Sequence, residues 1–136
     1  MDKFVLEEDI PILYVTATSF PAGIMKAHRK VYSLVSSSKE RRYFGVSRPE
    51  NGGEIVYRAA AEELEEGEAA KLGCESMFIP KGNYISIEID NYVKDVPIID
   101  RTFRKLLTHP DLDPNGYCVE WYLNEKDVRC MVKLHP

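Results

Sequence analysis

The sequence predicts an α+β fold in which two halves repeat one order of elements, strand-helix-strand-strand, around an antiparallel sheet with both helices on one face. Period-two alternation of apolar and polar residues marks several short strands. Two stretches with a single apolar stripe at helical spacing stand about seventy residues apart, each at the same place in the order. The length of 136 residues suits one domain with a real core.

The elements follow in order. IPILYVTATSF (10–20) is rich in β-branched and apolar residues and reads as a strand. Pro21-Ala22-Gly23 breaks it, and a helix is expected over 24–36, where Ile24, Ala27, Val31, Leu34 and Val35 form one stripe. Ser36, Ser37 and Ser38, followed by charges, should end that helix. YFGVSR (43–48) and EIVYRAAAE (54–62) flank PENGG, a hairpin signal. The stretch 57–73 also has high helix propensity, but the repeat favours a strand to Glu62 and a solvated acidic connector over 62–73.

The second half then repeats the plan. GNYISIEIDNY (82–92) sets Tyr84, Ser86, Glu88 and Asp90 on one face and Ile85, Ile87 and Ile89 on the other. A helix is expected over 96–107, with Val96, Ile99, Phe103, Leu106 and Leu107 on its apolar stripe. HPDLDPNG (109–116) must stop it, because proline cannot continue a helix. YCVEWYLN and DVRCMVKL close the chain as a hairpin around Glu125-Lys126. The halves are thus expected at about 8–63 and 74–136, with negligible sequence identity between them.

Composition excludes several classes of function. Eighteen basic against twenty-two acidic residues give a net charge of −4, which offers no footprint for nucleic acid. No apolar run reaches the roughly 20 residues of a membrane span, and MDKFVLEEDI is not a signal peptide. Cys74, Cys118 and Cys130 are odd in number and widely spaced, which reads as reduced thiols and a cytoplasmic location.

One stretch raises a functional question. In GYCVEWYLN, Glu120 and Tyr122 share a face, with Val119 and Trp121 opposite. On a wet face the carboxylate is merely solvated, or paired with Arg129 or Lys133 across the hairpin. On a face that holds a ligand, it is the charge that selects the ligand. If the helices cover the Val119 side, Trp121 is expected against Phe103 or Leu107.

Four pieces of the chain resemble the GyrI-like domain, the effector-binding module of AraC-type and MerR-type bacterial regulators. They are Phe20-Pro21-Ala22-Gly23 before a helix, Tyr57 in VYRAA, FIPKGNY (78–84) opening the second half, and Glu120-Trp121-Tyr122 on the penultimate strand. No helix-turn-helix segment precedes residue 10, so the chain reads as a free-standing domain.

The resemblance implies a groove between the halves on the face away from the helices, with the Glu of the last motif at its bottom. It implies a small lipophilic, often cationic and aromatic ligand, bound without chemistry. Glu120, Tyr122, Tyr84 and Tyr57 are then the candidate ligand residues, and Tyr14 and Phe44 could line the first half of the groove. Tyrosine rings attract a cation by roughly 0.5–2 kcal/mol each. His28 and Tyr32 share the second stripe of the first helix with Met25 and read as helix packing.

Two alternatives stay open. Some members of the family hydrolyse reactive cyclopropane-bearing compounds, and Glu120 with Tyr122 could serve as base and acid. Others inhibit gyrase by binding protein, so a protein partner or a homodimer also belongs among the readings. His28, His109 and His135 are scattered, no glycine-rich phosphate loop is present, and no cluster has metal-ligand spacing. No cofactor or metal is expected.

Overall fold

Eight strands form one antiparallel sheet: β1 (Asp2–Leu6), β2 (Ile10–Thr16), β3 (Tyr43–Glu50), β4 (Glu54–Glu62), β5 (Glu75–Ile79), β6 (Gly82–Ile89), β7 (Cys118–Tyr122) and β8 (Val128–Lys133). Three helices accompany them: α1 (Ile24–Leu34), the single-turn α2 (Glu68–Lys71) and α3 (Ile98–Leu106). A 3-10 turn, Tyr92–Lys94, precedes α3. The structure is a computed structural model that describes residues 1–35, 40–50 and 52–136.

The strand order is β1-β6-β8-β7-β3-β4-β2-β5. Read inward from its two edges it gives the same arrangement twice, β1, β6, β8, β7 from one side and β5, β2, β4, β3 from the other. The sheet therefore has a pseudo-twofold at the β3–β7 joint, as the repeated order of elements predicts. Its edge strands are exchanged: β1 pairs with β6 of the second half, and β5 with β2 of the first.

Alternation divides the sheet into two faces, and register links the strands. Gly45 lies opposite both Ala59 and Glu120, and Glu120 lies opposite Cys130. Directly paired residues share a face, so Tyr57, Ala59, Gly45, Glu120, Tyr122 and Cys130 all point the same way. That face carries the helices. α1 sets Ala27 and Val31 on Leu13, Ala59 and Ala61, where the small side chains of β4 let the helix approach. α3 sets Phe103 and Leu106 on Ile85, Ile89, Val128 and Val132. A side chain such as Leu106, fully buried, contributes about 1.5–3 kcal/mol.

The opposite face has a core of its own. Ile12, Phe44, Val46, Tyr84, Val119 and Met131 are buried there because the sheet curls around them.

The expected elements differ from the structure mainly at their ends. The first strand stops at Thr16 and β6 at Ile89, while α3 spans 98–106 within the expected 96–107. Two strands were not expected. β1 and β5 are edge strands of five residues each, with one position buried and one half-buried, so their alternation is too weak to read. The connector over 62–73 is not simply solvated. It contains α2, whose Glu68 pairs with Arg41 at 2.9 Å and whose Ala69 is buried. The hairpin turn carries Gly52 and Gly53 at φ 99° and 106°, a conformation that favours glycine. Ser36, Ser37 and Ser38, expected to end the first helix, lie outside the described residues. No helix among the described residues is long and apolar enough to cross a membrane.

Candidate functional site

Glu120 stands on β7 at the centre of the sheet, where the cluster under α1 meets the cluster under α3. Tyr57 belongs to the first cluster and Tyr122 packs against the second. Glu120 is only 9% exposed. The Tyr57 hydroxyl donates to its Oε1 at 2.9 Å, and the Tyr122 hydroxyl donates to the same oxygen. Oε2 accepts no hydrogen bond from the described residues, and no lysine or arginine among them forms an ion pair with Glu120.

The space for this arrangement comes from Gly45. A Cβ there would lie 2.1 Å from the Tyr57 hydroxyl oxygen and 2.8 Å from Glu120 Oε1. The glycine on β3 thus leaves a notch in which a tyrosine from the neighbouring strand reaches a carboxylate from the other half.

α1 closes the site from above with His28. Its Nε2 lies 2.7 Å from the Tyr57 hydroxyl. That hydroxyl already donates its hydrogen to Glu120, so His28 is the donor and its Nδ1 is bare. Nδ1 is buried and has no partner among the described residues. The ring meets Tyr57 and Tyr122 edge-on at centroid distances of 5.7 and 5.5 Å. Further rings lead outward. Phe20 stacks on Tyr57 at 6.1 Å, Tyr32 on His28 at 6.1 Å, and Tyr92 tilts against Tyr122 at 5.9 Å. Phe20 and Tyr32 are 45% and 49% exposed, so the aromatic cluster runs from solvent to the carboxylate.

The electrostatics follow from burial. Desolvation pushes the Glu120 carboxyl above its ordinary range, against the opposing pull of the hydrogen bonds from Tyr122 and Tyr57. Burial, then the nearby carboxylate, pushes both tyrosine hydroxyls up. The same two causes raise the Cys118 thiol to about 11, so it is not a nucleophile at neutral pH. Burial holds the His28 imidazole down at about 4.

Of the six residues expected to line a groove, the structure brings together Glu120, Tyr122 and Tyr57. Tyr84, Tyr14 and Phe44 lie on the opposite face. The Tyr84 hydroxyl donates to the Pro80 carbonyl at 2.5 Å, Tyr14 lies beneath the Arg58 guanidinium at 5.3 Å, and Phe44 packs against Trp121 at 5.5 Å. A site at Glu120 therefore lies on the helix side of the sheet and not on the side away from the helices.

Trp121 is likewise corrected. It shares the face of Phe4 and Phe44, with the Arg129 guanidinium 5.0 Å from its ring, and does not meet Phe103 or Leu107. The alternation holds, but the helices cover the Glu120 side. His28, read as helix packing, does pack on the sheet, and it also joins the hydrogen-bond chain. Gly45 had no signal in the sequence, because what faces a residue across two strands is not visible in its neighbours.

A surface hollow of about 440 Å³, lined by Lys3, Asn83, Pro110, Asp111, Leu112 and the last residues, lies away from these groups. Its charged residues, Lys3 and Asp111, are exposed, and its one aromatic ring is the exposed imidazole of His135. No group of three or more metal-ligating side chains occurs among the described residues.

No protein-family model matches the sequence, and no curated protein matches it. Solved structures do match in shape. An integron cassette protein from the mobile metagenome of Vibrio cholerae superimposes with a TM-score of 0.74 at 11% identity, covering 98% of this chain and 95% of that one. SAV2435, solved bound to tetraphenylphosphonium, gives 0.67 at 10% identity over 98% and 94% of the two chains. A protein from Staphylococcus aureus MU50, assigned to bacterial transcription regulation, gives 0.63 at 10% identity over 99% and 96%. At such identities the likeness shows the fold, and this chain has the fold of these proteins from end to end.

Proposed function

We propose that the protein binds a lipophilic organic cation at Glu120, between α1 and the segment leading into α3, and does not transform it. The observation that carries this is a buried carboxylate with no cationic partner among the described residues. Keeping such a charge ionised costs several kcal/mol unless it is paired. Here two tyrosine hydroxyls meet one oxygen, and the second oxygen is left for a ligand. The rings of Tyr57, Tyr122, His28, Tyr32, Tyr92 and Phe20 supply apolar surface and, in the tyrosines and phenylalanine, faces that attract a cation. The motif resemblance to GyrI-like domains and the fold shared with a tetraphenylphosphonium-bound protein support the same reading. Access requires His28, which hydrogen-bonds Tyr57, and Phe20, which stacks on the same ring, to yield.

Calorimetry at pH 8 tests this with tetraphenylphosphonium and the neutral triphenylphosphine oxide. Glu120→Gln keeps the shape and removes the charge. It should weaken the cation by about 1.5–3 kcal/mol, the scale of a hydrogen bond to a charged group, and should not weaken the oxide. Equal losses for both ligands would mean that Glu120 serves the fold and not selection. The hydrogen bond from Tyr122 to Glu120 also fits general acid–base hydrolysis, in which Glu120 is the base. Product formation from a reactive cyclopropane substrate, abolished in Glu120→Gln, would favour that second reading.

A further inference from the structure

Every element around the Glu120 carboxyl brings a group that is uncharged at neutral pH. β3 brings Gly45, β4 Tyr57, β7 Cys118 and Tyr122, and β8 Cys130. α1 brings His28, held off the carboxylate by the Tyr57 hydroxyl, and the 3-10 turn brings Tyr92 against Tyr122. α3 and β6 contribute hydrocarbon to the adjoining cluster through Phe103, Leu106, Ile85 and Ile89. A carboxylate placed so deep, with no countercharge among the described residues, favours its neutral acid.

The hydrogen bonds suit that acid as well as the anion. Both hydroxyls donate to Oε1, while Oε2 receives nothing from the described residues. A proton can therefore sit on Oε2 without displacing either bond. Building on the cation-binding reading, we infer that Glu120 exchanges a proton on Oε2 for the bound organic cation. The protonation of one carboxyl then decides whether the site takes a neutral or a cationic ligand.

The balance is simple. A neutral Glu120 acid and a free cation become a Glu120 carboxylate with its bound cation and one proton delivered to the buffer. No bond of the ligand changes. The neighbours do not supply that proton. His28, held at about 4, is already unprotonated above pH 5, and the tyrosines and thiols around the site are all pushed upward and keep theirs.

Calorimetry of tetraphenylphosphonium from about pH 5.5 to 8.5, in two buffers at each pH that both buffer there but differ in ionisation enthalpy, counts the protons released. The expected result is release approaching one proton on the acid side. Affinity there should rise by up to about tenfold per pH unit and then level off as release falls to zero. Triphenylphosphine oxide should instead take a proton up wherever the carboxyl is ionised, and so lose affinity as pH rises. Infrared spectra of the wild type give a second readout that needs no variant. A protonated carboxyl band should be present in the acid range and vanish when tetraphenylphosphonium is added.

Tetraphenylphosphonium bound with no proton release across the range, and no band lost, would overturn the exchange while leaving the cation site standing. Undiminished release in a folded Glu120→Gln protein would overturn it as well, by assigning the proton to another group. No binding at any pH would remove the cation site itself, and the exchange with it.

Discussion

Gly45 is the residue on which the site's geometry turns. Its missing side chain lets the Tyr57 hydroxyl and Glu120 Oε1 meet across the joint between the halves. Gly45→Ala should push them apart, costing about 1–3 kcal/mol of stability by overpacking and weakening tetraphenylphosphonium more than a surface substitution of equal stability cost. Thermal melts and calorimetry on the same variant check both; an unchanged melting temperature would show that the tyrosine simply swings aside. Glu120 and Tyr122 were legible in the sequence because alternation sets them on one face, and the family resemblance singled them out. Tyr57 was legible only through that resemblance. Gly45 was not, since its importance lies in a register that joins residue 45 to residues 59 and 120.

At the scale of elements, the sequence showed where strands and helices are but not which face the helices choose. Both faces of this sheet are apolar, one under the helices and one inside the curl, so hydrophobic patterning could not separate them. That is why Tyr84, Tyr14 and Phe44 were expected beside Glu120 and are found behind it. The consequence for Trp121 is testable. It packs with Phe4, Phe44, Arg42 and Arg129, on the face away from the proposed site. Trp121→Phe should cost about 1–3 kcal/mol through lost packing and cation–π contacts, while tetraphenylphosphonium affinity stays within about 0.5 kcal/mol. A large affinity loss in that variant would place the ligand on the curled face instead. The short edge strands β1 and β5 leave no pattern in the sequence for a related reason, as an edge strand buries too few side chains to show a period.

Over the whole molecule, the ionisable groups pull stability in opposite directions with pH. Hydrogen bonds from Arg58 and Arg41 hold Glu50 and Glu68 below their ordinary range, so their contribution is lost as pH falls. Burial holds His28 below its unfolded value of 6.5, at about 4, so the fold also weakens across that window. Its share is on the order of 3 kcal/mol. Glu120 acts the other way. Its folded value is raised above its unfolded 4.5, so it opposes folding increasingly as pH rises from there. Glu120→Gln should therefore melt above the wild type at neutral pH, with the difference closing near pH 4. Denaturation followed across that range checks this, and a difference that does not vary with pH would mean that the carboxyl is not strained by its burial.

The exchanged edge strands bear on how such a chain comes together. Asp2 pairs with Ser86, so β1 finds its place only after the chain has been made as far as β6. Until then the opening residues have no partner strand, and the first half must wait for Glu75–Ile79 to complete its own edge. Neither half can finish alone. Two copies of one half, each lending its leading strand to the other, would reproduce the arrangement of the full sheet.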